Sequence, residues 1–244
     1  VTDQFGTNMP RWGMSHIDPI IAIFAPLYLV YPHQMLIVFI QQLVILSAIY
    51  PLFVLVKWKS KSMVASYLIV FSYIMYPAVG FTLVWTGFHG ISLAAPLLIW
   101  LVWYLERNNF LVQAGLQKKI IYWTFIVVML MGKEEIGAIL GLASIFLYFK
   151  NKKLAVSTFL VGITWTLLCF LVFIPAYSHY RSESINTFFE QVGVNSGEAE
   201  NISGENFFIN RYAYLGSSYS EIIKNAILKP NLVYKKVFTG QKIE

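Results

Sequence analysis

Three consecutive charged residues interrupt a long apolar stretch. Lys133, Glu134 and Glu135 lie between the apolar runs 120–131 and 136–149. Each run is about a dozen residues long, roughly 20 Å of helix, whereas a bilayer core is about 30 Å thick. Ionisable side chains at such a depth are costly and usually belong to a functional site. A carboxylate there could deprotonate a substrate, and the lysine could neutralise a phosphate.

The two glutamates are adjacent, so on a helix their side chains point about 100° apart. We therefore expect one of Glu134 and Glu135 to face a cavity. The other should pair with Lys133 or lie at a helix start, where acidic residues are favoured. The alternative is a charged turn at the membrane interface that performs no chemistry.

Histidines provide further candidate ligands. His89 lies in a short turn without formal charge and could contact a metal ion or a phosphate oxygen. Its alternative role is that of a turn residue bonded to the backbone. His16 and Asp18 could supply two metal ligands from one loop. With His89 they would form a site for Mg²⁺ or Mn²⁺, which prefer hard, oxygen-rich ligands.

Near the C-terminal end, Arg211 and Tyr212 are followed by Tyr214. Arginine binds phosphate through a bidentate fork and tyrosine offers an aromatic platform, so this group could hold a sugar or a lipid phosphate. Alternatively it is a surface pair that folds the tail onto the membrane helices. The sequence contains no GxSxG, P-loop, HExxH, CxxC or GxGxxG motif, so nothing indicates a catalytic centre of the soluble type.

Membrane helices must position these residues. Of the 244 residues, 57% are hydrophobic and 12% charged, about half the usual charged share of a soluble domain. The apolar runs are long and continuous, unlike the alternating strands of a porin. The composition predicts an all-α fold, a polytopic transmembrane helical bundle with broken or short helices and a polar extracytoplasmic tail.

Three segments follow from the pattern of apolar runs. Residues 1–32 are predicted to form an outer loop and an interfacial segment, 33–176 the transmembrane helical domain, and 177–244 a polar segment at the outer face. Full spans are predicted at 33–56, 63–84, 91–105 and 154–176, with kinks at Pro51 and Pro77. The chain begins at Val1 without methionine, and we expect it to be part of a longer protein.

The formal charge of +6 indicates topology and not nucleic-acid binding. The basic residues concentrate in three short loops that only Glu106 offsets: Lys57, Lys59, Lys61; Arg107, Lys118, Lys119; Lys150, Lys152, Lys153. The positive-inside rule places all three loops on the cytoplasmic side. The charged triplet, the histidines and the tail would then lie outside. A single helix over 120–149 would put the third basic loop outside, so two half-length helices are favoured.

Several motifs together carry a family resemblance. They are His16-Ile17-Asp18-Pro19 with Ala25-Pro26-Leu27-Tyr28; Phe88-His89 with Pro96; Lys133-Glu134-Glu135 leading into Leu147-Tyr148-Phe149-Lys150; and Arg211-Tyr212-Ala213-Tyr214-Leu215-Gly216. In this order and spacing the chain resembles the predicted membrane proteins of domain-of-unknown-function family 2079. That family is similar in turn to the glycosyltransferase C superfamily, multi-span enzymes that use lipid-phosphate-linked sugars at the outer membrane face.

The resemblance implies specific roles. The catalytic base of that superfamily is typically an acid in the first outer loop. Here we expect that loop to be incomplete, which leaves Asp18 as a catalytic candidate beside Glu134 and Glu135. Lys133, His89, Arg211 and Tyr212 would bind substrate. Acidic residues often flank the family's Phe-His pair, but this chain has Gly87 and Ile91 there.

The resulting prediction is an integral, multi-pass protein, in a prokaryotic plasma membrane with its tail outside. It would transfer a sugar from a lipid-phosphate donor at the outer face, with membrane lipid but no nucleic acid as a partner. Two alternatives stay open. Broken half-helices that meet at charged residues also occur in secondary transporters, and a non-catalytic membrane scaffold fits the same composition.

Overall fold

A computed structural model describes residues 16–33, 35–84, 87–174, 176–177, 212, 214–217 and 219–239. Within these ranges every regular element is helical and no strand occurs. The predicted all-α class is therefore confirmed. Contacts divide the chain into two compact units, one comprising His16–Phe173 and the other Val1–Ser15 with Ile174–Glu244. The division into segments 1–32, 33–176 and 177–244 stays a prediction.

The unit His16–Phe173 is a set of apolar helices joined by short turns. In chain order they are α1 (Ile21–Val30), α2 (Met35–Ser47), α3 (Ile49–Ser60), α4 (Met63–Met75), α5 (Pro77–Val84), α6 (Ala94–Arg107), α7 (Leu116–Leu130), α8 (Ile136–Tyr148) and α9 (Lys152–Leu168). A 3₁₀ turn at Gly90–Leu93 precedes α6, another at Asn109–Leu111 follows it, and a π-helical turn at Cys169–Phe173 extends α9.

Among the described residues, three helices are long and apolar enough to cross a bilayer: Met35–Ser60, Gly90–Arg107 and Lys152–Phe173. A fourth span is formed if Met63–Met75 and Pro77–Val84 are counted together, since they are bent by 51° at their break. The bend lies at Pro77, as predicted, because proline has no N–H to donate and its ring clashes with the preceding helical turn. By the same reasoning the interruption between α2 and α3 lies just before Pro51. Helix α1 has 10 residues, contains Pro26 and is too short to span, as predicted.

Helices α7 and α8 fold back on each other as a hairpin around the loop 131–135. Tyr122 of α7 lines the same cavity as Ser144 and Leu147 of α8. In one straight helix Tyr122 and Ser144 would be about 33 Å apart, at 1.5 Å per residue. The broken pair predicted from the charge pattern is therefore confirmed.

Helix α9 packs antiparallel to α8 at a very close crossing. A Cβ atom added to Gly137 or to Gly162 would collide with the backbone carbonyl oxygen of the other glycine. Only residues without a side chain let two helix backbones approach this closely. The crossing fixes α9 against the half of α8 that directly follows the hairpin loop.

The three basic loops meet at one end of this unit, which we call the basic end. Lys59 Nζ lies 2.6 Å from a carboxylate oxygen of Glu106. The Tyr104 hydroxyl donates to the Lys118 carbonyl at 2.9 Å, and the Asn151 amide donates to the Phe110 carbonyl at 3.1 Å. The loops therefore share one end, as the charge pattern predicted.

The hairpin loop lies at the opposite end, which we call the hairpin end. There the Ile20 N–H donates to the Met131 carbonyl at 2.9 Å. Gly90 and Gly132 are so close that a Cβ on either would collide with the other's carbonyl oxygen. The segment 16–20, the turn before α6 and the hairpin loop are thus packed together.

The second compact unit contains two short helices in its described part. Helix α10 spans Tyr219–Leu228 and α11 spans Pro230–Tyr234, followed by a π-helical turn at Lys235–Thr239. The Glu221 carboxylate accepts hydrogen bonds from the N–H and the hydroxyl of Ser217, both at 2.9 Å. This contact stabilises the start of α10, because acidic groups are favoured in the first helical turn.

Candidate functional site

The loop between the two hairpin helices presents one fully buried carboxylate. Glu134 is only 1% exposed. One of its oxygens lies 2.8 Å from Nδ1 of His16, and the other accepts the Ile17 N–H at 3.0 Å. Since a buried charge is tolerated only when it is paired and hydrogen-bonded, these contacts explain how an acid is kept in this position.

The backbone around Glu134 is held in place from three sides. The Ile20 N–H bonds to Met131 just before the triplet, and Gly132 lies against Gly90. The hydroxyl of Thr166 in α9 donates to the Glu134 carbonyl at 3.2 Å. The loop that carries the Glu134 carboxylate is therefore held by contacts with the segment 16–20, the turn before α6 and helix α9.

The electrostatics of the site favour an ionised Glu134. Burial by itself raises the pKa of this carboxyl. The hydrogen bonds from His16, from its own backbone and from the Ile17 N–H, together with the His16 charge, outweigh burial and bring the pKa below its ordinary value of 4.5. Hydrogen bonds to the charged form act in this direction. Glu134 is therefore a carboxylate at neutral pH.

Lys133 and Glu135 form a separate ion pair. Lys133 Nζ lies 3.2 Å from a Glu135 oxygen, and the Glu135 side chain is 51% exposed. The two glutamates thus have different partners, as their adjacency predicted. An exposed pair of this kind contributes about 0–1 kcal/mol to stability. The catalytic role predicted for Glu135 and the substrate role predicted for Lys133 stay predictions.

His16 combines contact with the buried acid and access to the outside. Its side chain is 47% exposed although Nδ1 contacts Glu134. A carboxylate on one ring nitrogen fixes the tautomer and the ring orientation. The other nitrogen, Nε2, can then exchange a proton with a substrate. The structure therefore assembles a carboxylate–histidine pair from residues 118 positions apart.

Asp18 and His89 lie at the same end of the helical unit. Asp18 is buried, two residues beyond His16. His89 is exposed, and its backbone N–H donates to the side-chain oxygen of Gln41 at 2.8 Å. Gln41 itself is buried within α2. Gln41 was not predicted as a site residue, although a Gln-Gln pair inside an apolar span indicates a polar partner.

The predicted metal site does not assemble in the described part of the chain. Within it no group of three or more His, Cys, Asp or Glu side chains is arranged to hold a metal ion. His16, Asp18 and His89 therefore do not form such a group. Magnesium or manganese binding stays a prediction.

The C-terminal candidates belong to the other compact unit. Tyr212 is exposed, and its carbonyl accepts the Leu215 N–H at 2.8 Å. Arg211 lies outside the described residues. The substrate-binding role predicted for Arg211 and Tyr212 stays a prediction.

Comparison with known proteins identifies a family. No curated protein and no solved structure matches the chain. A family model described as "Predicted membrane protein (DUF2079)" matches residues 13–244, nearly the whole sequence. That match spans both compact units and every motif on which the resemblance rested. The chain therefore belongs to this family of predicted membrane proteins.

Proposed function

We propose that the protein is a membrane transferase that takes a sugar from a lipid-phosphate donor and passes it to an acceptor hydroxyl at the hairpin end. The observation that carries this proposal is the pair formed by the buried Glu134 and the half-exposed His16. Such a pair can remove a proton from a hydroxyl group at neutral pH, which is what the transfer requires.

In the proposed reaction, Nε2 of His16 accepts the proton of the acceptor hydroxyl while the acceptor oxygen attacks the anomeric carbon of the sugar. The bond between that carbon and the phosphate oxygen breaks, and the lipid phosphate leaves with the bonding electrons. Glu134 acts as a positioning residue, because it holds the imidazole and stabilises its protonated form. Lys133 would offset the charge on the departing phosphate. Asp18 and Glu135 remain candidates for binding the sugar hydroxyls.

The location of the pair supports a lipid-linked donor. The hairpin end lies opposite the basic end, where the loops that contain Lys59, Lys118 and Lys150 meet. Because basic loops stay on the cytoplasmic side, we place the pair at the outer face of the membrane. A donor whose lipid lies in the outer leaflet would present its phosphate at that level.

The test is transfer from a polyprenyl-phosphate sugar by the purified membrane protein, measured as release of polyprenyl phosphate. We expect His16→Gln to lower turnover at least about 100-fold, because a general base contributes about 10²–10⁴. Glutamine retains an N–H for Glu134 but cannot accept the proton. The matched control is His33→Gln, since His33 is an exposed histidine whose Nδ1 accepts the Met35 N–H at 3.2 Å. Equal turnover in the two variants would remove His16 from the mechanism.

A secondary transporter is the second candidate, favoured by the broken span at Tyr76 and Pro77. The 51° bend there borders a cavity of about 550 Å³. Its polar lining includes Ser72, Tyr73, Tyr76, Thr82 and Ser92. Transporters bind substrates at such interrupted helices. Uptake of a solute into proteoliposomes without any release of polyprenyl phosphate would favour this candidate over the transferase.

A further inference from the structure

An apolar cavity of about 420 Å³ lies between helices α6, α7, α8 and α9, near the basic end. Its walls are almost entirely aliphatic and aromatic, with residues such as Leu101, Leu105, Ile126, Leu140 and Leu147. It is distinct from the Glu134–His16 pair, none of whose residues lines it. The volume lies in the range of small-ligand sites, roughly 300–1,000 Å³.

The hydroxyl groups in the wall already have partners inside the protein. The Tyr122 hydroxyl bonds to Thr158, the Thr158 hydroxyl also donates to the Leu154 carbonyl, and the Ser144 hydroxyl donates to the Gly141 carbonyl. Because these hydroxyl groups already have hydrogen-bond partners, they do not require a polar ligand in the cavity. The part of an occupant that enters the cavity is therefore apolar.

The cavity opens toward the lipid-facing side of the bundle. Phe146 on α8 is 80% exposed and Val102 on α6 is also exposed, and both line the cavity. A protein helix is too large for this space. One turn, about 10 Å across and 5.4 Å high, already takes up about 420 Å³. A flexible hydrocarbon chain from the bilayer can enter through the opening.

The rim of the cavity is basic. Lys150 lines the rim and its Nζ lies 5.7 Å from the centre of the Phe110 ring. Glu106 also lines it, but its carboxylate is paired with Lys59 at 2.6 Å. Lys150 therefore remains as the cation next to the opening, with Lys152 and Lys153 directly after it in the chain. Basic pockets between membrane helices on the cytoplasmic side bind anionic lipid head groups.

We propose that this cavity binds one acyl chain of an anionic phospholipid from the leaflet at the basic end, and that Lys150 contacts the lipid phosphate. The site combines an apolar interior, an opening toward the bilayer and a rim cation, Lys150, whose acidic neighbour Glu106 is paired with Lys59. It requires no transferase activity, so it stands or falls independently of the proposed function.

The test is lipid-dependent thermal stability of the purified protein in detergent, with native mass spectrometry to count bound lipids. Phosphatidylglycerol should raise the melting temperature saturably. Phosphatidylcholine with the same acyl chains should do so at much higher concentration, and inorganic phosphate not at all. Lys150→Gln should weaken apparent phosphatidylglycerol affinity about five-fold, since one basic side chain near an anionic surface contributes about that factor. The control Lys57→Gln removes an equal, exposed charge outside the cavity and should change affinity by less than about two-fold.

A second variant tests the cavity itself. Ala143→Phe should fill the cavity and abolish the saturable shift, and Ala143→Leu serves if the phenylalanine variant does not fold. Equal responses to both phospholipids, a response to inorganic phosphate alone, or unchanged lipid binding in the filled variant would each overturn the proposal. So would capture of a second copy of the chain or another protein in place of lipid.

Discussion

The residue that most constrains the hairpin end is Glu134, because its two oxygens hold the segment 16–20 in place. The Ile17 N–H and His16 Nδ1 both bond to it, and its pKa lies below the ordinary value. A depressed carboxyl pKa means that the group contributes stability above its unfolded-state pKa. That contribution is lost as pH falls through the folded-state pKa.

We expect the wild-type protein to lose stability on acidification below pH 4.5, the ordinary value from which the Glu134 pKa is lowered. Glu134→Gln should be less stable at neutral pH by about 1–3 kcal/mol, because the amide cannot accept from both His16 and Ile17 as the carboxylate does. The stability difference between the two proteins should shrink toward pH 3. Thermal unfolding in detergent across this range measures it.

Glu135→Gln is the matched control for that experiment. Its side chain is exposed and paired with Lys133, so its loss should cost less than about 1 kcal/mol at any pH. If Glu135→Gln and Glu134→Gln give the same profile, the acid dependence arises elsewhere in the chain.

For single residues, the sequence predicted which residue types form the site and that the two glutamates point in different directions. It did not predict which residues they contact. Because Glu134 and Glu135 are adjacent, their side chains were predicted to have different partners. Their adjacency did not show which of them is buried. Choosing between them required His16, which lies 118 positions away. No local spacing encodes such a contact, because it depends on how the hairpin packs on the N-terminal segment. For Gln41 a local signal existed, the Gln-Gln pair in an apolar span, but its partner, the His89 N–H, is known only from the tertiary structure.

At the scale of helices, the crossing of α8 and α9 depends on two glycines. A Cβ on Gly137 would collide with the Gly162 carbonyl oxygen, which is backbone and cannot turn away. Separating the helices would also shift the hairpin loop, because Thr166 of α9 bonds to the Glu134 carbonyl. The crossing therefore couples helix packing to the position of the candidate site.

We expect Gly137→Ala to destabilise the protein by about 1–3 kcal/mol, the usual cost of overpacking, in spite of the better helix propensity of alanine. Gly141→Ala is the control in the same helix. Its Cβ would meet the Ile163 side chain at 3.4 Å, an ordinary contact, so the propensity gain of up to about 1 kcal/mol should prevail. Melting temperatures of the two variants compare the sites. A stabilised Gly137→Ala would contradict the close crossing.

Much of the helix layout was predictable, because prolines and charges act locally. Pro51 and Pro77 predicted the interruptions of the first two spans, and the charged triplet predicted the hairpin. The π-helical turn at Cys169–Phe173 was not predicted, since the apolar run 154–176 gives no sign of an altered hydrogen-bond register. The glycine crossing was also missed. A glycine in a helix can be identified as a packing contact only when the residue that lies against it is known.

For the whole molecule, the sorted charges predict orientation in the membrane. Three basic loops share one end, as the contacts Lys59–Glu106, Tyr104–Lys118 and Asn151–Phe110 demonstrate. From this arrangement the positive-inside rule predicts that the basic end faces the cytoplasm. Length and composition were enough to predict a membrane protein. That the three basic loops contact one another at one end could be seen only in the tertiary structure.

We expect single cysteines at Ser60, Gln117 and Lys153 to be protected from an impermeant thiol reagent in intact cells, and cysteines at His33 and Glu135 to be labelled. All five positions are exposed in the folded chain. The native Cys169 is buried, so it should give little background. Permeabilised cells, in which all five should react, provide the control. Labelling at Lys153 with protection at Glu135 would reverse the orientation and place the Glu134–His16 pair in the cytoplasm.

The contact between His16 and Glu134 also has a consequence for how the protein is made. The two residues are 118 positions apart, so a ribosome adding about 5–20 residues per second needs roughly 6–24 s to deliver the acid after the histidine. During that interval the N-terminal segment has no carboxylate to bind, while several apolar helices enter the membrane. The candidate site is therefore completed only after the hairpin has been synthesised, and a nascent chain that stalls before the hairpin exposes the segment 16–20 without its anchor.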